Sequence, residues 1–312
     1  MKMTDMLGCV GWAVLFLFAT SWIPFLGPFF SLLTPLPFLY YSTKLGLKQG
    51  GKLTALTVLT IGLIGRLLGH PQIILFGLEL GLLGLALSVL FKWRVTLGQI
   101  IFLGIALMVT LGLVSLSLIS FSKGMGPMEL VLAYLQGQLD ASIKAYEGMG
   151  ISEENALELR AFGKAFMHTI SRIYPSLMTV AIGFTVWLNI VIARPVFRIG
   201  NLVYPDFTPM DRWKAADGLV WGVIVSGFAL FLPSGGIKLV AINALIVVMA
   251  VYMFQGLSIV LFFLNKYGVP SWARIGVYFL IVAQQLFLAV LALAGLFDQW
   301  VDFRKIHRKK NG

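Results

Sequence analysis

The chain has 312 residues, of which 59% are hydrophobic and only 12% are charged, and its formal net charge is +11. Soluble domains carry about 25% charged residues, so this composition excludes an ordinary soluble protein. Apolar runs of about 18 residues or more recur along nearly the whole length, which is typical of membrane-spanning helices. These runs are continuous rather than alternating, which excludes a transmembrane β-barrel.

The sparse reactive side chains exclude further classes of site. Cys9 is the only cysteine, so we expect no internal disulfide and no cysteine-based metal cluster. His70, His168 and His307 are scattered and form no metal-ligand pattern. The lysines and arginines are dispersed over short loops, which predicts a basic inner membrane face rather than a nucleic-acid interface. No metal and no cofactor are expected.

Nine apolar segments predict an all-α, polytopic transmembrane helical bundle of about 8–9 spans. The predicted spans are residues 7–23, 29–43, 53–69, 71–91, 97–121, 173–193, 215–232, 239–264 and 276–297. The first begins at Leu7 and is followed directly by more apolar chain, with no small-x-small cleavage site before a polar region. It is therefore predicted to be a helix of the protein and not a cleavable signal peptide.

The second predicted span is the weakest, because it lies in a proline-rich segment. Residues 22–41 contain Pro24, Pro28, Pro35 and Pro37, and proline interrupts helical hydrogen bonds. A short span, a kinked span and a re-entrant loop all fit this segment. Broken backbone at membrane depth is tolerated only where it is buried in protein or faces a cavity.

The next two spans are joined by the stretch "GRLLGHPQIILFGLELG" (65–81), which places two charges among apolar residues. A tight turn at 69–71 predicts an antiparallel hairpin, in which the long Arg66 side chain is able to reach Glu79. An intramembrane carboxylate indicates function by default, so both residues are predicted to bind substrate. The alternatives are that Arg66 extends to the membrane interface and that Glu79 makes a structural hydrogen bond.

Residues 122–172 form a distinct region that contains six of the thirteen acidic residues. Its apolar residues recur at helical spacing, as at Leu159, Phe162 and Phe166. The pattern predicts one helix at about 127–145 and a second that begins after an N-cap at Ser152. We interpret the region as an amphipathic extramembrane insertion of two helices that lie on or against the membrane face.

The insertion separates N-terminal transmembrane helices (1–121) from C-terminal ones (173–297), which a basic tail (298–312) follows. Mid-span amides recur in the C-terminal part. They are Asn189, Asn243, Gln255, Gln284 and Gln285. The first four are predicted substrate-binding residues, on the expectation that some line a polar cavity. The alternative is that such amides only join helices by hydrogen bonds.

The distribution of basic residues predicts the orientation only in part. In a nine-span count, most loop cations fall on one side, which should be cytoplasmic. They are Lys44, Lys48, Lys52, Lys92, Arg94, Arg194, Arg198, Arg212 and Lys214. The same count places the basic tail "RKIHRKK" (304–310) outside, against the rule. Either one predicted span does not cross the membrane, or the tail is an exception.

No motif indicates catalysis. The chain has no G-x-x-x-x-G-K-[ST] phosphate loop, no H-E-x-x-H metalloprotease motif and no G-x-S-x-G nucleophile elbow. Paired intramembrane aspartates are also absent from the sequence. We therefore expect no enzyme activity, no catalytic residues and no hydrolysis of nucleotide by this chain.

Four stretches together resemble the YybS-like family of uncharacterised bacterial membrane proteins. They are "LLTPLPFLYYSTKLGLKQG" (32–50), "IYPSLMTVAIGFTVWLNIVIARPVFRIG" (173–200), "NALIVVMAVYMFQGLSIVLFFLNKYGVP" (243–270) and "GLFDQWVDFRK" (295–305). The family is similar, more distantly, to the substrate-binding components of energy-coupling-factor transporters and to a rod-shape membrane protein. This distant similarity implies a compact bundle whose proline-rich loop caps a cavity.

The first helix departs from the transporter pattern. Those components often carry an A-x-x-x-A surface for the coupling partner, whereas "LGCVGWAVLFLFAT" has small residues at Gly8, Cys9, Gly11 and Ala13.

Two functional hypotheses follow for a multi-pass protein of the bacterial cytoplasmic membrane. The first is a transporter subunit that binds or carries a small molecule in a closed polar cavity and depends on a separate energy-coupling subunit. The second is a membrane scaffold or assembly protein that docks a partner protein and has no ligand. A self-sufficient secondary transporter ranks third, because such proteins usually show internal repeats and none is visible here.

Overall fold

The computed structural model describes residues 2–22, 27–93, 95–147 and 153–305. Several predictions therefore lie outside the described residues. They concern Pro24, Arg94, the N-cap Ser152 and the tail from residue 306 onward.

The described residues form α-helices and one 3₁₀ turn and contain no strand, which confirms the all-α prediction. The helices are α1 (Met3–Trp22), α2 (Gly27–Ser31), α3 (Pro35–Leu45), α4 (Leu47–Leu67), α5 (Ile73–Leu90), α6 (Leu97–Lys123), α7 (Pro127–Glu147), α8 (Glu153–Ile199), α9 (Leu219–Ala229), α10 (Gly235–Lys266), α11 (Ser271–Ala283) and α12 (Gln285–Val301). The 3₁₀ turn is Met210–Arg212.

The described residues contain fewer candidate spans than the predicted 8–9. Within the described residues, five helices are long and apolar enough to cross a membrane, or six if α11 and α12 count as one span. The five are Leu47–Leu67, Ile73–Leu90, Leu97–Lys123, Leu157–Ile199 and Gly235–Lys266.

Three of the missing spans are apolar segments that do not form long straight helices. Helix α9 has only 11 residues, whereas α1 has 20 residues and covers most of the predicted span 7–23. The predicted span 29–43 is divided between α2 and α3, and 276–297 is bent by 100° between α11 and α12. A straight crossing needs about 20 residues, so apolar composition alone overestimated the count.

The end residues of α6 show why its boundaries were predictable. Thr96 forms a capping box with Gln99: its hydroxyl accepts from the Gln99 N–H at 3.3 Å, and the Gln99 side-chain oxygen accepts from the Thr96 N–H at 2.8 Å. The helix ends at Gly124, which adopts φ 65°. These are the residue types that favour helix starts and stops, and the predicted span 97–121 matches the helix closely.

Helix α8 is 47 residues long and runs through the predicted boundary at 172/173 without a break. At 1.5 Å per residue it extends about 70 Å, more than twice the hydrocarbon thickness of about 30 Å. Its N-terminal part packs on α7 at Gly163, which faces Leu139 and Ile143. The two amphipathic helices thus exist, but the second is continuous with the following span. Their extramembrane position stays a prediction.

The contacts divide the chain into two compact units. Unit 1 is residues 1–131 and 181–207, and unit 2 is residues 132–180 and 208–312.

In unit 1, α3 packs closely against α4 and α5, and α1 packs against α3 and α4. Cys9, Ala13, Phe38, Leu53 and Ile61 form a buried core among them. The Thr57 hydroxyl donates to the Cys9 sulfur at 3.7 Å.

The proline-rich segment forms a helix break that unit 1 buries. Thr34 precedes α3, and its backbone N–H and hydroxyl both donate to the carbonyl oxygen of Ser31, at 3.1 and 2.7 Å. Gly84 of α5 lies against the Pro35 carbonyl and Phe38, where a side chain would collide. The break is therefore packed inside protein, as non-helical backbone at membrane depth requires.

In unit 2, α9 and α12 pack on α10. Helices α10 and α12 touch through their backbones, because Gly256 faces the Leu291 carbonyl and Gly295 faces the Tyr252 carbonyl. Such glycine contacts bring membrane helices closest together.

We predict that Gly295→Ala destabilises the protein, because its new methyl group would collide with the Tyr252 carbonyl and the Gly256 amide. Overpacking of this kind costs about 1–3 kcal/mol and should lower the midpoint of thermal unfolding in detergent by several degrees. Gly276→Ala on α11 is the matched control, since nothing lies within 4 Å of the added atom there. Equal midpoints for the two variants would contradict the close backbone contact.

Candidate functional site

The α4–α5 hairpin forms as predicted. Gly69 adopts φ 79° in the turn, and the His70 N–H donates to the Gly65 carbonyl at 2.7 Å. Gly77 of α5 packs against Ile61 of α4, so the two helices lie side by side near the turn.

The predicted bridge from Arg66 to Glu79 does not form. Arg66 is exposed and Glu79 is half-buried, and within the described residues neither side chain makes a hydrogen bond or an ion pair. Gly77 and Gly81 face α4 and α3. Residues two positions away on a helix point to the opposite side, so Glu79 projects away from that contact. It is a carboxylate on an apolar span with no polar partner in the described chain.

Asn189 of α8 is fully buried and satisfies the proline-rich break. Its amide nitrogen donates to the Leu32 carbonyl at 2.8 Å, beside α3, and to the Thr185 carbonyl at 2.8 Å. A carbonyl freed by the break thus gains a donor from another helix. The amide thus joins two segments of unit 1.

Both the oxygen and the nitrogen of the Asn243 side chain, on α10, form hydrogen bonds to α8 within unit 2. Its nitrogen donates to the carbonyl oxygens of Arg172 at 2.7 Å and Leu239 at 2.8 Å, and its oxygen accepts from the Ser176 N–H at 2.9 Å. Proline at 175 interrupts the helical hydrogen bonds in this stretch of α8, which leaves backbone groups available.

Gln255 of α10 lies fully buried in a polar network. Its side-chain oxygen accepts from the Ala215 N–H at 3.0 Å, and its nitrogen donates to Asp298 Oδ2 at 3.0 Å. Of the predicted site residues, Gln255 is the one that contacts an ionised group.

At the centre of that network is an ion pair between Arg304 and Asp298. Arg304 Nη2 lies 2.8 Å from Asp298 Oδ2, and each side chain is only 1% exposed. Arg304 Nη1 also donates to the carbonyl oxygens of Asp211 and Trp213 and to Ser258 Oγ, at 3.1, 2.9 and 2.8 Å. The guanidinium thereby ties the extended stretch before α9 to α10 and α12.

Asp298 is positioned by the chain that follows α12. Its Oδ1 accepts from the Phe303 N–H at 2.9 Å, and Asp302 adopts φ 45° to turn the chain back. This turn returns Arg304 to the carboxylate six residues earlier. The resulting arrangement is a self-contained anchor of the C-terminal helix.

Gln284 lies at the break between α11 and α12 and has an extended backbone, with φ −114° and ψ 107°. It is exposed, as is Gln285, and neither side chain has a hydrogen-bond partner within the described residues. Gln284 is therefore the predicted site residue that sits at an interruption of a helix.

Two grooves on the described residues are open and mostly apolar, and neither is an enclosed polar chamber. One shallow apolar groove of about 380 Å³ follows α6, with Thr110 and Ser117 as its polar residues. Another of about 300 Å³ follows α1 over Gly8, Gly11 and Trp12. None of the six predicted substrate-binding residues lines these two grooves. Within the described residues, no three His, Cys, Asp or Glu side chains gather as a metal site.

The ion pair between Asp5 and Lys44 was also not predicted from the sequence. Asp5 near the start of α1 is buried, and Lys44 at the end of α3 donates to its Oδ1 at 2.6 Å. This hydrogen bond raises the pKa of Lys44. Both missed pairs join residues at helix ends, where charges are expected, so their types gave no signal. Only the six-residue spacing of Asp298 and Arg304 within "GLFDQWVDFRK" hinted at a local pair.

The helices and the buried break define a multi-pass α-helical membrane protein. The chain belongs to the family described as predicted membrane protein DUF2232, which matches residues 12–299. It is 22% identical over 287 residues to the uncharacterized protein YybS of Bacillus subtilis (strain 168), covering 91% of each chain. The YybS-like resemblance is thereby confirmed.

No solved structure matches the chain. The more distant similarity to energy-coupling-factor transporter components stays a prediction.

We predict that Arg304→Met strongly destabilises the protein, because it leaves the Asp298 carboxylate buried without its cation. Breaking a buried pair costs about 3–5 kcal/mol, and Asp298→Leu combined with Arg304→Met should recover much of this loss. Asp217→Ala, which removes the pair with Lys214 at an 86% exposed aspartate, should change stability by less than about 1 kcal/mol. Thermal unfolding in detergent measures all three. An Arg304→Met protein as stable as the parent would show that the anchor contributes nothing.

Proposed function

We propose that this protein is a non-enzymatic subunit of a membrane assembly, which docks a partner membrane protein through its spans and holds no ligand of its own. We place it in the bacterial cytoplasmic membrane, as its relative in Bacillus subtilis and the basic loops favour. The observation that carries the proposal is the unpaired carboxylate of Glu79.

Glu79 differs from three of the mid-span amides in having no partner for its side chain within the described residues. Asn189, Asn243 and Gln255 each bond to groups of their own unit. Glu79 lies on α5, whose mean hydropathy of 2.4 is among the highest of the spans. An acidic side chain at the centre of a membrane helix costs about 2.5–3.5 kcal/mol. A hydroxyl, amide or cationic side chain from another protein would offset that cost.

The apolar surfaces near Glu79 suit contact with another helix. Phe76 is 57% exposed and Leu78 is 42% exposed on the same helix. In lipid these side chains gain nothing from contact with a second apolar surface, so helix association needs polar bonds or close packing. A single carboxylate within an apolar face provides such a bond and also selects the partner.

A carrier of a small molecule is the second candidate, and the break at Gln284 favours it. Membrane carriers commonly place interrupted helices at their substrate sites, where freed backbone groups contact the solute. In this alternative, Gln284 binds the solute and a separate energy-coupling subunit drives transport.

The test extracts the protein from its own membrane in mild detergent and weighs the intact assembly by native mass spectrometry. We expect a stoichiometric membrane protein to accompany the parent chain. Glu79→Leu should reduce the bound fraction at least tenfold, because it removes the polar bond, while the unfolding midpoint of the isolated chain stays equal or rises.

Leu78→Ala is the matched control, since it alters a neighbouring exposed side chain and keeps the carboxylate. It should retain most of the partner. A parent chain that carries a small molecule and no protein, with the molecule lost in Gln284→Ala, would overturn the docking proposal and support the carrier.

A further inference from the structure

Helix α11 runs across the direction of its neighbours α10 and α12. It meets α12 at a bend of 100°, which is close to a right angle. Gly256 of α10 faces Leu291 of α12. Four residues earlier on α10, Tyr252 faces Gly295, which is four residues later on α12, so these two helices run antiparallel. Helix α10 is long and apolar enough to cross a membrane, and a helix at a right angle to it lies along the membrane plane.

Both ends of α11 lie at one level along α10. At its start, Arg274 Nη1 donates to Asn265 Oδ1 at 2.7 Å, in the last turn of α10. At its other end, the register of Leu291, continued back by six residues, places Gln285 at the start of α12 beside Phe262. These levels differ by about one helical turn, whereas the 13 residues of α11 extend about 20 Å. Helix α11 therefore does not cross the bilayer.

The side chains at this level are those of a membrane interface. Tyr267 and Trp272 are both exposed in the turn between α10 and α11 and in the first turn of α11. Lys266 Nζ lies 5.8 Å from the ring centre of Phe263 and 5.7 Å from that of Tyr267. Tryptophan, tyrosine and lysine concentrate where the hydrocarbon meets the headgroups, so this end of α10 lies at headgroup level.

The outward face of α11 is apolar along its whole length. Its side chains recur at steps of three and four residues and are between 68% and 78% exposed. They are Trp272, Ile275, Phe279 and Val282. Helix α11 is described in full, and none of its residues is buried. A helix that lies at a bilayer surface places such a face among the acyl chains.

Two cations beside α11 lack anionic partners. Asp211 Oδ2 accepts from the Asn265 nitrogen at 3.0 Å, so the residues that follow them, Arg212 and Lys266, flank one hydrogen bond. Within the described residues, neither cation makes a hydrogen bond or an ion pair through its side chain. Arg274 bonds the same Asn265 and balances the charge of Asp211. Arg212 and Lys266 therefore leave a positive surplus at this end of α10.

We infer that α11 is an interfacial helix that binds anionic phospholipid. Its apolar face enters the acyl chains of the leaflet at the basic end of α10, and Arg212 and Lys266 pair with the lipid phosphates. Cations beside a membrane surface are attracted by anionic lipids, and arginine and lysine both bind phosphate. By the positive-inside rule, this leaflet is the cytoplasmic one. No residue of α5 takes part, so this inference does not depend on Glu79.

The depth of spin labels in vesicles of phosphatidylcholine and phosphatidylglycerol tests the orientation. Ile275→Cys and Val282→Cys place nitroxides seven residues apart on the outward face, about 10 Å along the helix. Relaxation by oxygen and by an aqueous nickel complex should report the same depth for both labels. Cys9 is buried and is kept, and the parent protein measures any labelling there.

Ile237→Cys and Ala244→Cys form the matched control pair, because they are also seven residues apart and exposed, but on α10. Their depths should differ by about 10 Å. An equal difference within the α11 pair would overturn the in-plane helix. Labels that are as accessible to nickel as in bulk water, or shielded from both reagents by a protein contact, would overturn insertion into lipid.

Retained lipid tests the headgroup contacts. Native mass spectrometry of protein extracted from the same vesicles counts the bound phosphatidylglycerol. Arg212→Gln combined with Lys266→Gln should retain about tenfold less of it than the parent does. Arg172→Gln combined with Lys238→Gln is the matched control, since Asn243 places Arg172 beside the opposite end of α10. Undiminished retention in the first double variant, or an equal loss in the control, would overturn the proposed lipid site.

Discussion

Arg304 and Asp298 form an ion pair from which water is excluded, and the arrangement of unit 2 depends on it. The guanidinium bonds a carboxylate, a serine hydroxyl and two carbonyls, so it joins α10, α12 and the stretch before α9 at one point. Either charge would be too costly to bury without the other. The Gln255 side chain and the Phe303 N–H also donate to the Asp298 carboxylate. The ion pair and its hydrogen bonds thus crosslink the interior of unit 2 without a covalent bond.

The absence of water also explains the hydrogen bonds of two mid-span amides. In a medium without water, a helix break is stable only if something donates to the carbonyls it frees. Asn189 does this for the proline-rich segment, and Asn243 does it beside Pro175 of α8. Asn189 and Asn243 are therefore explained by the proline breaks beside which they bond. Gln255 instead belongs to the network around Asp298.

Sequence reasoning succeeded where a signal is local. Helix α10 was predicted at 239–264 and is Gly235–Lys266, because a long apolar run ends at charged and turn residues. The break near Pro35 and the hairpin at Gly69 were also predictable from residue type. The bend at Gln284 was not, since neither proline nor glycine occurs in "VAQQLF". The ion pair of Asp298 was missed because its partner approaches only after the left-handed turn at Asp302.

Asn243 has a consequence for motion within unit 2. Its three hydrogen bonds contact Arg172, Ser176 and Leu239, which lie on two different helices. A displacement of α8 along α10 by one helical turn, about 5.4 Å, would break the bonds to Arg172 and Ser176 at once. No intermediate position would replace them. The two helices are thus locked in register at this residue, and any shape change of unit 2 has to occur by bending elsewhere and not by sliding.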